Sequence, residues 1–194
     1  MSATRNGEDM DLETYAAAIN MACDRGDYVT LGGEEPTVNK HFMEMLEFAS
    51  EKYRMGSLKM PPFVITNGKL HGKVNKVLDR LVTGREKEYR NPLYVQIELS
   101  QDPWHDPINH DLVWRFQCLA KTRFEDPNVT VGIRTVRGLG AWGRAADPAR
   151  GLPISQYQGE CCCDDLTIDP KGDIWSCACK KDKLGNVTDD YLLS

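Results

Sequence analysis

The sequence predicts an α/β fold built around a parallel sheet, and three observations point to it. Apolar or β-branched runs of strand length occur at residues 28–31, 63–66, 93–99 and 128–136. Between them, apolar residues step by three and four, the period of a helix with one buried face. The first two runs stop at turns rich in glycine, Gly32-Gly33 and Asn67-Gly68, so strand, turn and helix follow one another as in βα units.

The whole chain sets further bounds. Its 194 residues suffice for one domain, or for one domain with a small appendage. Hydrophobic residues make up 41% and charged residues 27%, the balance of a water-soluble chain. A net charge of −5 gives no electrostatic ground for binding nucleic acid. No apolar run approaches the roughly 20 residues that span a bilayer, so no membrane partner is expected. The first residues, 1–11, are polar and acidic, unlike a secretory signal, and the expected location is cytoplasmic. Disulfides are disfavoured there, so seven cysteines favour metal or redox chemistry.

In chain order, residues 11–23 predict an amphipathic helix with Leu12, Tyr15, Ala16, Ile19 and Cys23 on one side and Asp9 or Asp11 as its cap. Cys23 reads as a small core residue or as a lone ligand or thiol nucleophile. After the strand 28–31 come Gly32, Gly33, Glu34, Glu35 and Pro36, then a helix over 38–53 burying Phe42, Met45, Leu46 and Ala49, with His41 near its start. Pro61-Pro62 ends that unit and 63–66 begins the next. Val74, Val77, Leu78 and Leu81 form the following helix stripe, and 83–91 reads as a charged loop. The strand 93–99 is interrupted by Gln96 and Glu98, which need partners if they face an interior. Asp102, His105, Asp106, Asn109 and His110 then read as a polar rim over a cavity, a metal site or a solvated loop; Pro103 and Pro107 break the segment. A helix over 112–122 buries Val113, Phe116 and Leu119 or Ala120, and 128–136 is a β-branched strand. A glycine-rich segment (138–143) and a linker (147–153) follow.

The tail concentrates Cys161, Cys162, Cys163, Cys177 and Cys179. Residues 166–168 and 173–176 predict two strands joined by Asp169-Pro170-Lys171-Gly172, a type I turn with glycine in the left-handed position. Folding about that turn pairs residues whose numbers sum to about 341 and brings the thiols toward one end of the hairpin. Such thiolates hold an iron–sulfur cluster or zinc; free thiols or a disulfide are the alternatives.

Several of these stretches together resemble the radical SAM superfamily. Gly32-Gly33-Glu34-Glu35-Pro36 is similar to its Gly-Gly-Glu-Pro turn, Thr66-Asn67-Gly68 to its Thr-Asn-Gly turn, and Ser100-Gln101-Asp102-Pro103-Trp104-His105 to its Ser-x-Asp-x-x-His strand end. The cysteine tail, with Leu184-Gly185-Asn186 after it, resembles the SPASM or twitch extension. Two departures accompany the match. Glu34 adds a second acid to the turn, and no Cys-x-x-x-Cys-x-x-Cys motif occurs; upstream of Gly32 the sequence has one cysteine, Cys23.

The resemblance implies a partial (β/α) TIM-like barrel missing its first strand, over residues 1–152, and a small cysteine-rich β-hairpin extension, over 153–194. It implies that Gly32, Gly33, Glu34, Glu35, Pro36, Asn67, Ser100, Asp102 and His105 surround S-adenosylmethionine, with the Glu35 turn at the amino group and Ser100 near the ribose. It implies an auxiliary 4Fe-4S cluster, or zinc, at Cys161, Cys162, Cys163, Cys177 and Cys179. S-adenosylmethionine-dependent radical chemistry would then need its catalytic cluster from an N-terminal extension or another polypeptide. The substrate, small molecule or peptide, is unspecified. A missing first strand leaves an open sheet edge that invites a protein partner. The alternative is a non-catalytic, metal-stabilised binding module that has lost the cluster.

Overall fold

The computed structural model describes residues 8–32, 35–83, 92–101, 107–135, 165–178, 180 and 182–189. The chain divides into two compact units, Ala22–Thr135 and Met1–Met21 with Val136–Ser194. The boundary expected after residue 152 lies outside the described residues.

The unit Ala22–Thr135 is a mixed α/β structure on a four-stranded parallel sheet. Its elements are β1 (Thr30–Leu31), a 3-10 turn (Pro36–Val38), α2 (Phe42–Arg54), β2 (Phe63–Thr66), α3 (His71–Thr83), β3 (Gln96–Gln101), α4 (His110–Leu119) and β4 (Thr130–Thr135). The strands lie side by side in chain order, β1-β2-β3-β4, all parallel. Crossovers between parallel strands are right-handed as a rule, and strands in chain order then carry their helices on one face. No closed barrel forms among the described residues.

Burial follows that arrangement. Leu31, Val64, Ile97 and Val131 are in register across the four strands, and all are buried. So are the helix stripes Phe42, Met45, Leu46 and Ala49 on α2 and Val74, Val77, Leu78 and Leu81 on α3, as the periodicity predicts. The alternate residues of β3, Gln96, Glu98 and Ser100, point to the other face and are half-buried.

Three boundaries differ from expectation for identifiable reasons. The helix expected over 38–53 is two pieces. Asn39 leaves the helical region and its Oδ1 accepts from the His41 amide at 2.8 Å, so α2 starts only at Phe42. The third strand starts at Gln96, not at 93, because its neighbour there is Pro61-Pro62, which has no N–H for a ladder; Gln96 N donates to Pro62 O at 3.0 Å. The fourth helix starts at His110 because Asn109 caps it, its Oδ1 accepting from Asp111 N at 2.8 Å and Leu112 N at 3.3 Å.

The other unit contains the start of α1 (Leu12–Arg25) and an antiparallel sheet of β5 (Thr167–Ile168), β6 (Asp173–Trp175) and β7 (Lys183–Asn186). Asp11 is the cap of α1, its Oδ1 accepting from Thr14 N at 2.8 Å. β5 and β6 pair as Thr167↔Trp175 and Ile168↔Ile174, a sum of 342 against the expected 341. Gly172 takes φ +81° in the turn between them. β7 is a third strand that the two-stranded expectation lacks; it pairs Ile174 with Gly185. No helix among the described residues is long and apolar enough to cross a membrane.

Candidate functional site

The carboxyl ends of β1, β2 and β3 carry the turns singled out in the sequence, which is where parallel α/β sheets place ligands. Glu35 stands at the centre. Its Oε1 accepts from Thr37 N at 3.1 Å, Thr37 Oγ1 at 2.5 Å and Thr66 Oγ1 at 2.7 Å, and its Oε2 accepts from Asn67 N at 2.7 Å. The Thr37 bonds make Glu35 the cap of the 3-10 turn, with Pro36 in the first helical position where its missing N–H costs nothing. The Thr66 and Asn67 bonds cross to the next strand's turn. Thr66 Oγ1 in turn accepts from Gly68 N at 3.0 Å, and Asn67 Oδ1 accepts from Lys69 N at 2.9 Å.

The glycines of the two turns differ in kind. Gly68 has φ +74°, and a Cβ there would stand 2.8 Å from Leu112 Cδ2 and 3.2 Å from Leu99 Cδ1. The fold itself demands glycine at 68. At Gly32 no atom of the described residues beyond its chain neighbours lies within 4 Å of where a Cβ would stand, and its φ is not in the left-handed range. A glycine left open at a strand end permits close approach by another molecule.

Ser100 lies on β3, opposite Arg134 of β4 and on the same face as Gln96 and Glu98. Glu98 pairs in register with Gly132, and its Cγ lies 3.4 Å from where a Gly132 Cβ would be, so the missing side chain makes room for the carboxylate arm. Among the described residues, no side-chain hydrogen bond or ion pair engages Gln96, Glu98, Ser100 or Arg134. Gly33, Glu34, Asp102, His105 and Asp106 lie outside the described residues. Asn109 serves as a helix cap, and His110 is exposed at the helix start. His41 precedes α2 and makes no side-chain cap bond.

In the tail, Cys177 follows β6 and is buried, at 3% exposure. Cys161, Cys162, Cys163 and Cys179 lie outside the described residues. Among the described residues, no three His, Cys, Asp or Glu side chains converge as a metal site. Cys23, Cys118 and Cys177 are free thiols. Burial pushes the Cys23 thiol up against the opposing pull of Lys52, which disfavours the nucleophilic thiolate. The polar centre of the tail is Asp169. It accepts from Lys171 N at 3.0 Å, Asp173 N at 3.2 Å, Trp175 Nε1 at 3.1 Å and Lys180 Nζ at 2.8 Å. Burial alone would raise its carboxyl, but Lys180, Trp175 and the Lys171 amide outweigh burial and hold it below its ordinary value.

Sequence reasoning missed Thr37, Thr66 and Arg134 as site residues. Thr37 and Thr66 are buried at 0% and 1% exposure although polar. The Glu35-Pro36-Thr37 spacing carries a helix-cap signal that identifies Thr37. No local signal identifies the bond to Thr66, 31 positions away. Compared with family models, with curated proteins and with solved structures, the chain finds no match in any of the three.

Proposed function

We propose that the parallel-sheet unit is a radical-SAM-like partial (β/α) barrel that binds S-adenosylmethionine at the carboxyl edge of its sheet. The cysteine-rich hairpin after it would hold an iron–sulfur cluster, or zinc, through Cys161, Cys162, Cys163, Cys177 and Cys179. One observation carries this reading. Motifs quoted for the resemblance from sequence alone lie at the ends of adjacent parallel strands, in the family's order, and Glu35 bonds directly across from the first turn to the second. The open position at Gly32 and the half-buried polar face of β3 support it further. Ser100, near the end of β3, would meet the ribose, and Asp102 and His105, next in sequence, would stand at the mouth of the site. A bound catalytic cluster would supply the reducing electron; its cysteine ligands would come from an extension or a partner polypeptide, docked at the open side of the edge strand β1.

The test is equilibrium dialysis of the anaerobically purified chain against labelled S-adenosylmethionine, with iron, sulfide and zinc measured on the same sample. Saturable binding near one per chain, with iron and sulfide present, is the expected result. No saturable binding would end this reading.

A second reading, a non-catalytic binding module, is favoured by the Glu35 carboxylate itself, which is engaged by the chain's own donors. It predicts a metal-bound tail with no nucleoside affinity.

A further inference from the structure

The resemblance gives Glu35 to the amino group of S-adenosylmethionine, but most of its acceptor capacity is taken by the chain itself. An ionised carboxylate offers about four lone-pair sites. Four donors of the chain already point at this one: Thr37 N, Thr37 Oγ1, Thr66 Oγ1 and Asn67 N. Three of them converge on Oε1 and one reaches Oε2, so the chain fills Oε1 and leaves an acceptor site on Oε2 alone. Both hydroxyls are shut off from water, Thr37 at 0% and Thr66 at 1% exposure, so without the carboxylate neither would have solvent as a partner.

We infer that Glu35 is a positioning residue. Its carboxylate locks the turn after β1 to the turn after β2 through Thr66 and Asn67. The geometry suits that task. β1 and β2 are neighbours in register, Leu31 opposite Val64, and the turns leave the sheet side by side. Glu35 spans the gap between them with both oxygens, one to a hydroxyl and one to a main-chain amide. Thr66 relays the brace to Gly68 N, so the whole Thr66-Asn67-Gly68 turn hangs on this carboxylate. Only the effect on S-adenosylmethionine affinity rests on the function proposed above; the brace stands on the chain's own atoms.

The experiment is site-resolved amide hydrogen exchange and thermal melting of the full chain, for wild type, Glu35→Gln, Thr66→Val and Thr66→Ser, each repeated with added S-adenosylmethionine. In Glu35→Gln one oxygen becomes an N–H donor, so it opposes either the Asn67 amide or the two hydroxyls. The Asn67 and Thr37 amides should then exchange about tenfold faster or more, with a lower Tm. Thr66→Val, a milder change that leaves the Thr37 and Asn67 bonds in place, should speed exchange at Asn67 and Gly68; Thr66→Ser, which keeps the hydroxyl, should restore it. Affinity for S-adenosylmethionine should fall in Glu35→Gln and Thr66→Val alike and recover in Thr66→Ser. Wild-type exchange and melting in Glu35→Gln would overturn the brace, whether or not binding is lost. So would a Thr66→Val variant with unchanged exchange. If the wild type binds no S-adenosylmethionine, the proposed function fails, while exchange and melting still decide the brace.

Discussion

Two carboxylates, one in each unit, do the same task with different partners. Glu35 and Asp169 each gather four donors and each fix a turn. The Asp169 donors all lie within 11 positions of it and include an ammonium, Lys180. The Glu35 donors are all neutral, and two of them lie 31 and 32 positions away. Asp169 therefore shapes one hairpin, and its carboxyl is held down chiefly by donors that the hairpin itself supplies. Glu35 joins two βα units that share no local sequence. A local hub organises a turn, whereas a non-local hub organises the edge of a sheet.

The largest expected effect strikes the far anchor of the non-local hub. In Gly68→Ala, a Cβ meets Leu112 Cδ2 at 2.8 Å while φ stays near +74°. Left-handed strain and overpacking together should cost about 3 kcal/mol, read as a shift in urea midpoint. Gly32→Ala, with nothing among the described residues within 4 Å of the new Cβ, should stay within about 0.5 kcal/mol of wild type. Equal losses at both positions would erase the distinction between a glycine the fold requires and one it leaves open.

Next in size is Asp169→Asn, which turns one acceptor into a donor among four donors and should destabilise the β5-β6-β7 sheet by about 1–2 kcal/mol. Amide exchange along that sheet measures it. The pH dependence follows from sign. Hydrogen bonds from Lys183 and then Asn186 hold Asp173 low, and Lys180, Trp175 and the Lys171 amide outweigh burial to hold Asp169 low, both below the ordinary 3.8. A carboxyl lowered in the folded state stabilises above 3.8, and that contribution fades as pH falls below it through the lowered value. Protection of the tail sheet should therefore drop below pH 3.8, and less steeply in Asp169→Asn. An identical acid profile in the variant would remove Asp169 from its cause.

The smallest effect separates backbone from side chain at Lys180, which has φ 55° without being glycine. Its ammonium bonds Asp169 at 2.8 Å and lies 5.4 Å from the Trp175 ring centre. Lys180→Ala and Lys180→Gly lose the same contacts, but only glycine relaxes the backbone, so Lys180→Gly should be the more stable by about 1 kcal/mol. Equal stabilities would mean that the ammonium, and not a strained turn, is all that Lys180 contributes.

Legibility in the sequence followed the range of the interaction. The stripes of α2 and α3 could be read because each depends on its own period, and Phe42, Leu46, Val74 and Leu78 are buried as expected. The Asp169-Pro170-Lys171-Gly172 turn could be read because its chemistry is contained in four residues, and Gly172 has the left-handed φ it requires. The start of β3 was misread because its apolar run begins at Leu93 while its neighbour begins at Phe63, and pairing needs both. β7 was missed because Lys183 and Leu184 are exposed and carry no alternating pattern; the strand forms by pairing with β6.

At the candidate site the same divide holds. The residues of the two turns could be named from their types and order, since glycine, proline and small polar residues have specific backbone and capping uses. Whether Glu35 faces a ligand or the chain could not be named, because its partners Thr66 and Asn67 reach it only once β1 and β2 lie in register. The sequence alone determined the helices, the turns and most of the strands, through periodicities and backbone preferences that act within a few residues; β7 and the start of β3 were left to pairing. The tertiary structure decided which side chains meet, since a hydrogen bond of under 3 Å requires two distant segments held in one geometry.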